Sequence, residues 1–216
     1  AEDGIRDDLV TRVQTCALPI SMSSLGVPHY NEDPDIFVEQ FIDWFTTNSR
    51  DRYAEAVSQL EHAEQVADLA RDGGASDSEI VASLLHDVGH VLMRRQRLDG
   101  AGDEHDLRHE QIGANWLVKS FGTLVSEPVR LHVPAKRYLC AVDSDYWNSL
   151  SNGSRRSLVL QGGPMPKHEC RAFEQNEFAE AAVALRRRDE AGKQTGRRVP
   201  AMETYRPELL RGINRP

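Results

Sequence analysis

The amino-acid sequence predicts an all-α domain, and three observations lead to this prediction. Apolar residues recur at helical spacing through almost the whole chain after Asp33. No strand-like alternation is sustained and no internal repeat is visible. The 216 residues, 39% of them hydrophobic, suffice for one globular domain with a substantial core. We expect residues 1–21, which show no usable periodicity, to be a non-native or disordered segment and residues 22–216 to form that domain.

Start signals and apolar spacing define the first two predicted helices. Asp33 followed by Pro34 is typical of an N-cap and a first helical residue. The apolar stripe of this helix consists of Ile36, Phe37, Phe41 and Phe45. The second helix is predicted from about Ala54 to Ala70, and His62 lies among its apolar positions.

The third predicted helix follows a glycine-containing turn. Ser76 or Asp77 is its N-cap, with Glu79 nearby as in a capping box. An apolar run follows the cap, and the helix carries His86 and Asp87 toward its end. The pattern therefore places an imidazole and a carboxylate on an otherwise apolar element.

The remaining helices are shorter and more polar. A stretch from Arg94 to Leu107 is expected to cross the surface before a fourth helix that holds His109. A fifth helix starts near Glu127-Pro128 and carries His132. Shorter helices are predicted over residues 143–150, 154–160, 169–175 and 177–188, with Asp189 closing the last.

A set of histidines and aspartates is the main functional signal. A carboxylate such as Asp87 is costly to bury without a partner, and a metal ion is a common partner for such a group. A carboxylate can bridge two cations, which an imidazole cannot do, and the set exceeds the protein ligands that one ion usually takes. The sequence therefore predicts a site for two metals, with six candidate ligands: His62, His86, Asp87, His109, His132 and Asp189.

His90 lies one helical turn after His86, on the same predicted face. It is a further candidate ligand, and a role in the substrate pocket or in supporting a ligand is the alternative. Both interpretations place His90 at the metal site.

Charge and cysteine content exclude several classes of protein. The net charge of −8 and the lack of a long basic stripe argue against a nucleic-acid partner. No apolar run reaches the length of a membrane span, and no signal-peptide pattern is evident. Cys16, Cys140 and Cys170 show no CxxC spacing, which fits a cytoplasmic protein without a disulfide framework.

The order of the candidate ligands and four longer motifs resemble those of a known family. The order of His62, His86-Asp87 and a late Asp189 resembles the HD-domain superfamily, most of whose members are metal-dependent phosphohydrolases. Four motifs between Arg52 and Tyr205 resemble, more specifically, its mixed-valent diiron oxygenases, which break carbon–phosphorus bonds. These motifs are Gln59-Leu-Glu-His62, His132-Val-Pro-Ala-Lys136-Arg-Tyr-Leu, Leu160-Gln161-Gly-Gly-Pro-Met165 and Arg186-Arg-Arg-Asp189-Glu.

The resemblance implies an HD-domain helical bundle with a dinuclear iron site in its core. Asp87 would bridge the two ions, one ferrous and one ferric, and dioxygen would be the co-substrate. The first iron would be held by His62, His86, Asp87 and Asp189, and the second by His109, His132 and Asp87.

The resemblance also implies a substrate pocket. The matching positions that grip a phosphonate are Lys136, Ser154, Gln161 and Arg186. A phosphonate dianion needs charge-assisted donors, which a lysine, an arginine, a hydroxyl and an amide provide without competing for the metal. For Lys136 and Arg186 the alternative is that each side chain lies on a solvent-exposed face of its helix.

One end of the expected pocket departs from the family pattern. Glu55 matches a family glutamate near the open iron position, where it would accept a cationic amine; a surface salt bridge is the alternative. Tyr53 is displaced by one residue from the family tyrosine, and Arg52 occupies that position. Arg188 stands where the family commonly has tryptophan, and Pro134 replaces a small residue. These differences bear on the substrate more than on the reaction class.

The expected reaction is oxidative cleavage of a 1-hydroxy-2-(amino or trimethylammonio)ethylphosphonate to phosphate and glycine or glycine betaine. Asp87, Glu55, Tyr53 and His90 are the expected catalytic residues, and Glu55 and His90 are also expected to contact the substrate. A 2-oxoglutarate-dependent hydroxylase is the expected functional partner, because it would supply the hydroxylated substrate.

Two alternatives use the same ligands. One is an HD-type phosphohydrolase acting on a phosphate ester or nucleotide, and the motifs of Lys136 and Gln161 argue against it. The other is a non-enzymatic module that senses iron or a phosphonate, for which a full ligand set beside anion-binding groups is more than sensing requires.

Overall fold

The helical fold is seen in a computed structural model that describes residues 26–30, 33–51, 57–96 and 108–214. These residues form an all-α bundle, as predicted, and no strand occurs among them. Residues 1–21 and the candidate site residues Tyr53 and Glu55 lie outside the described part, as does Arg52. The helices are α1 (Pro34–Asn48), α2 (Gln59–Asp72), α3 (Asp77–Leu85), α4 (Val88–Gln96), α5 (His109–Phe121), α6 (Thr123–Val142), α7 (Ser144–Ser149), α8 (Asn152–Leu160), α9 (Lys167–Glu174), α10 (Ala179–Ala191), a 3-10 turn (Met202–Tyr205) and α11 (Arg206–Gly212).

Side-chain caps fix where the first three helices begin. Asp33 accepts hydrogen bonds from the backbone amides of Asp35 and Ile36 at 3.0 and 3.1 Å, which confirms the predicted N-cap of α1. Ser76 and Glu79 form the predicted capping box of α3. An equivalent box at Ser58 starts α2 at Gln59 rather than near Ala54, so the expected start of this helix was too early.

The prediction that one continuous helix carries both His86 and Asp87 is wrong. Helix α3 ends at Leu85 and α4 begins at Val88, so both residues lie in the turn between two helices. Neighbours on a continuous helix point about 100° apart around its axis. The break removes this constraint, and the two side chains can face one point. Helix α4 also includes Arg94, which was expected in a surface stretch.

Helix α6 is longer than the sequence indicated. It begins at Thr123, directly after Gly122, and it runs through Pro128 and Pro134. Pro128 was expected near the helix start, because proline lacks the N–H that a helix interior needs. The carbonyl left without that donor belongs to Leu124, whose side chain is 65% exposed, so water can reach this part of the helix.

The core is built from aromatic and aliphatic side chains on the long helices. Phe41 of α1 stacks on Trp116 of α5 with ring centroids 5.3 Å apart. After α10, the 3-10 turn and α11, which were not predicted, bury Met202, Tyr205 and Leu209 completely. Among the described residues, no helix is both long enough and apolar enough to cross a bilayer.

Candidate metal centre

Four of the predicted ligands converge at the centre of the bundle. The Nε2 atom of His62, on α2, lies 3.2 Å from Nε2 of His86 and 3.3 Å from Oδ1 of Asp189, on α10. The Oδ2 atom of Asp87 lies 3.5 Å from Nε2 of His86 and 3.8 Å from Nε2 of His62. Ligand atoms about 2.0–2.2 Å from one first-row metal stand roughly 3–3.5 Å apart. The four side chains therefore fit one ion.

The other two predicted ligands meet the opposite oxygen of the same aspartate. The Nε2 atoms of His109, on α5, and His132, on α6, are 3.1 Å apart. They lie 3.5 and 3.7 Å from Oδ1 of Asp87. Asp87 thus presents one oxygen to each group of ligands, the arrangement of a carboxylate that bridges two metals. All six predicted ligands are brought together.

Backbone carbonyls orient three of the imidazoles. Nδ1 of His62 lies 2.9 Å from the carbonyl oxygen of Gly192. Nδ1 of His86 and of His132 lies 2.9 and 2.6 Å from the carbonyl oxygen three residues earlier in the chain. An Nδ1–H that donates to a carbonyl leaves the Nε2 lone pair free for a metal. Each ring is held in the tautomer that a metal ligand needs.

Burial and neighbouring charges favour the metal-binding protonation states of His132 and Asp189. Burial, together with His109 and His86, holds the pKa of His132 well below its usual range, so this ring is neutral. Burial opposes ionisation of Asp189, but the charges of Arg186 and Lys193 and the His62 contact hold its pKa well below the usual range. A neutral imidazole and an ionised carboxylate are the forms that bind a cation.

A buried glutamine holds the backbone at the bridging ligand. Nε2 of Gln59 donates to the carbonyl oxygen of Asp87 at 2.8 Å. Arg94 donates in turn to Oε1 of Gln59. Gln59 belongs to a motif that carried the family resemblance, and its contact explains why an amide is needed there: it ties α2 to the turn that presents Asp87.

Asp189 is held by a charged network that the sequence did not reveal. Arg186 donates to Asp189 through Nη1 and to the hydroxyl of Tyr146 through Nε, the latter at 2.6 Å. Its Nη2 donates to Oε2 of Glu190 at 2.6 Å and to Oγ of Ser154 at 3.0 Å. Tyr146 was missed because its sequence context resembles that of an ordinary helix residue, and Glu190, although it ends a motif that carried the family resemblance, was given no role.

Ser154, a member of this network, is one of the proposed substrate residues, and Lys136 and Gln161 are two others. Lys136 is 3% exposed and donates to Oγ of Ser157 at 2.8 Å, so the alternative of a solvated helix face does not hold for it. Ser154 is buried on α8. Gln161 ends the same helix, and its Oε1 is buried without a hydrogen-bond partner among the described residues. Their contact with a substrate stays a prediction.

His90 lies on the side of the second group of ligands. Its ring stacks on His109 with centroids 3.9 Å apart, and it forms a possible metal-binding group with Asp87 and His109. This position is compatible with both roles predicted for His90, ligand or pocket residue.

The fold and the site define an all-α metalloprotein of the HD-domain class, whose metal centre is formed by a His/Asp cluster in the core. Three relatives share most of the chain. A hydroxymethylphosphonate dioxygenase of Gimesia maris is 43% identical over 88% of this chain and 94% of its own length. A glycine-betaine-forming 1-hydroxy-2-(trimethylamino)ethylphosphonate dioxygenase of Leisingera caerulea is 38% identical over 74% and 82% of the two chains. An uncharacterized protein of Acanthamoeba polyphaga mimivirus is 31% identical over 74% of each chain.

The chain belongs to the HD-domain phosphonate dioxygenases that the first two relatives represent. It is therefore an enzyme, an oxygenase that cleaves carbon–phosphorus bonds. This membership argues against the phosphohydrolase and sensor alternatives. No protein-family model matches the chain.

Proposed function

We propose that this enzyme uses two irons and dioxygen to convert a 1-hydroxyphosphonate into inorganic phosphate and a carboxylate. The observation that carries the proposal is Asp87, whose two oxygens face two separate groups of ligands. Four imidazoles and two carboxylates are a donor set that suits iron. When bound, the ions supply Lewis acidity toward the substrate and the activation of dioxygen, in a ferrous–ferric pair.

The atom balance of this reaction needs no external reductant. Cleavage of the carbon–phosphorus bond places one oxygen on phosphorus and a second on the carbon that carried the hydroxyl. Both oxygens of one dioxygen are used, and the substrate carbon is oxidised to a carboxylate. One dioxygen consumed for each phosphate released is therefore the expected stoichiometry.

The chain's own residues hold the substrate at the metals. Lys136, Ser154, Gln161 and Arg186 are proposed to bind the phosphonate, and His90 to contact the same substrate from α4. Burial of Lys136 strengthens an ionic hydrogen bond, because little water competes for the anion. The surrounding helices exclude water from the reacting carbon.

The candidate substrates differ in what is attached to the hydroxylated carbon. The family resemblance favours an amino or trimethylammonio group, which the carboxylate of Glu55 would attract. The Gimesia maris relative, which covers more of the chain, is named for hydroxymethylphosphonate, a substrate without such a group. From that substrate the carbon product would be formate. A separate hydroxylase that supplies the 1-hydroxyphosphonate remains part of the proposal.

A substrate panel tests the proposal. Iron-loaded enzyme is mixed with hydroxymethylphosphonate, the two 2-carbon hydroxyphosphonates and a phosphate monoester, while phosphate release and oxygen uptake are followed together. We expect equal amounts of oxygen consumed and phosphate released from at least one hydroxyphosphonate. Phosphate release from the ester alone, without oxygen uptake, would overturn the proposed function.

Lys136→Ala is expected to raise KM for the preferred hydroxyphosphonate while the iron content stays unchanged. Loss of one charge-assisted contact to a buried anion costs on the order of 2 kcal/mol, roughly thirtyfold. Steady-state kinetics and metal analysis of the same samples check this result. Lys167→Ala, a change at an exposed lysine of α9, is the matched control, and an unaltered KM in Lys136→Ala would remove this residue from the pocket.

A further inference from the structure

The chain reverses directly after Gln161, at two glycines that end α8. Gln161 is the C-cap of this helix, and Gly162 and Gly163 follow it with φ of +94° and +72°. The amide of Gly162 donates to the carbonyl of Val159, and the amide of Gly163 donates to the carbonyl of Leu158. This pair of bonds is a Schellman motif, which needs a left-handed residue directly after the cap. The backbone on both sides of Gln161 is therefore well defined.

Arg137 ties this turn to α6, the helix that carries Lys136. Its Nε donates to the carbonyl oxygen of Gly163 at 2.9 Å, and its own carbonyl oxygen accepts from the backbone N–H of Met165 at 2.9 Å. A Cβ added to Gly162 would lie 3.7–3.9 Å from three atoms of the guanidinium, so the guanidinium lies against this glycine. One residue of α6 thus holds the turn through its side chain and through its main chain.

We propose that Arg137 is a positioning residue for phosphonate binding, because it holds Gln161 at a fixed place relative to Lys136. This inference rests on the proposed function, in which Lys136 and Gln161 bind the same anion from two different helices. Arg137 is the neighbour of Lys136 on α6, so its contacts with the turn after Gln161 set the separation of the two binding groups. A hydrogen bond depends steeply on distance and angle, so a fixed separation favours binding.

The side chain of Gln161 shows why the backbone that carries it matters. Its Oε1 is buried and has no hydrogen-bond partner among the described residues. The amide is therefore not held from its oxygen end, and its position follows that of the turn. A shift of the turn would move the amide away from an anion bound by Lys136.

The contact of Arg137 with the turn depends on the Nε donor more than on the positive charge. The charge is paired with Glu169, whose Oε2 lies 3.3 Å from Nη1 of Arg137. The side chain of Glu169 is 42% exposed, and an ion pair in such a position contributes little to stability. The hydrogen bonds to Gly163 and from Met165 are the contacts that fix the turn.

Three variants of the iron-loaded enzyme test this role through calorimetric binding of inorganic phosphate, steady-state kinetics and iron content. Arg137→Met keeps an apolar stem of similar length but removes the Nε–H. It is expected to raise the phosphate Kd and the substrate KM about fivefold, below the roughly tenfold expected of Gln161→Ala for a lost hydrogen bond to a charged group. Arg137→Gln, which has an amide nitrogen where Nε stood, should recover most of the affinity. Glu169→Gln removes only the ion pair and is the control.

A double-mutant cycle separates positioning from a general effect on stability. In the Gln161→Ala background, Arg137→Met should raise the phosphate Kd no further, because the amide that Arg137 positions is absent. In the Lys136→Ala background, the same change should raise the Kd by its usual factor. Independent effects of Arg137→Met and Gln161→Ala would overturn the inference, and so would a wild-type Kd or a fall in iron content in Arg137→Met.

The outcomes also separate this inference from the proposed function. Coupling between Arg137 and Gln161 in phosphate binding, in an enzyme that cleaves none of the hydroxyphosphonates, would support the positioning role while the proposed function fails. Matched oxygen uptake and phosphate release, with independent effects of the two substitutions, would support the proposed function and overturn the positioning role.

Discussion

Asp87→Ala is expected to leave the protein almost free of metal. The wild-type chain should hold about two ions, as dinuclear carboxylate sites do. Asp87 is the only one of the six ligands that faces both groups, so its removal takes one ligand from each ion. Loss of a group that only supports a metal ligand lowers the metal affinity about 10–100-fold. Loss of a ligand that bridges both ions should lower it more. Elemental analysis after anaerobic iron loading measures the result.

His132→Ala provides the comparison, because the Nε2 atom of His132 lies beside His109 and Oδ1 of Asp87, on the side of the second group of ligands. This variant should lose one ion and keep the other. Asp72→Ala, at an exposed position near the end of α2, should keep both. Full retention of one ion in Asp87→Ala would mean that Asp87 belongs to a single metal, and the dinuclear assignment would fail.

Gly89→Ala is expected to destabilise the fold and to displace His109. A Cβ at position 89 would overlap the backbone carbonyl of His109 and lie 3.0 Å from its Cα. The obstacle is backbone at the start of α5, which cannot rotate away as a side chain can. Overpacking of this kind costs roughly 3 kcal/mol. Urea unfolding of the metal-free protein measures the stability, and iron content should fall because His109 moves away from Asp87.

Gly113→Ala is the graded control on the facing helix. Its added Cβ would meet the backbone nitrogen of Gly89 at 3.2 Å and a methyl carbon of Val88 at 3.3 Å, distances that a small shift can relieve. We expect Gly113→Ala to destabilise the fold clearly less than Gly89→Ala does. Equal unfolding midpoints for Gly89→Ala and the wild type would show that α4 and α5 do not depend on this close approach.

The sequence could predict which histidines and aspartates converge, but it could not predict their relative geometry. His62, His86 and Asp87 were recognisable because a histidine or an aspartate among apolar residues requires a partner, whereas Asp189 lies in a charged run, where the pattern gives no such signal. The turn at His86 and Asp87 was missed because an apolar pattern of helical period continues on both sides of it. Neither residue breaks a helix strongly, so tertiary contacts decide the turn, among them the bond from Gln59 to the carbonyl of Asp87.

The C-terminal part of the fold was missed for a different reason. The 3-10 turn and α11 are too short to show a clear period, although Met202, Tyr205 and Leu209 are fully buried. The start of α6 was placed too late because proline was interpreted as a boundary rather than as a tolerated interior residue.

The contact between His62 and the end of α10 has a consequence for how the protein matures in the cell. His62 and Gly192, whose carbonyl orients it, are 130 positions apart, and Asp189 comes from the same late helix. During synthesis, chains grow at about 5–20 residues per second and fold from the N-terminal side. The ribosome therefore has to deliver α10 before the first metal has its full coordination. We therefore expect metal to bind the first group of ligands only after most of the polypeptide has been made.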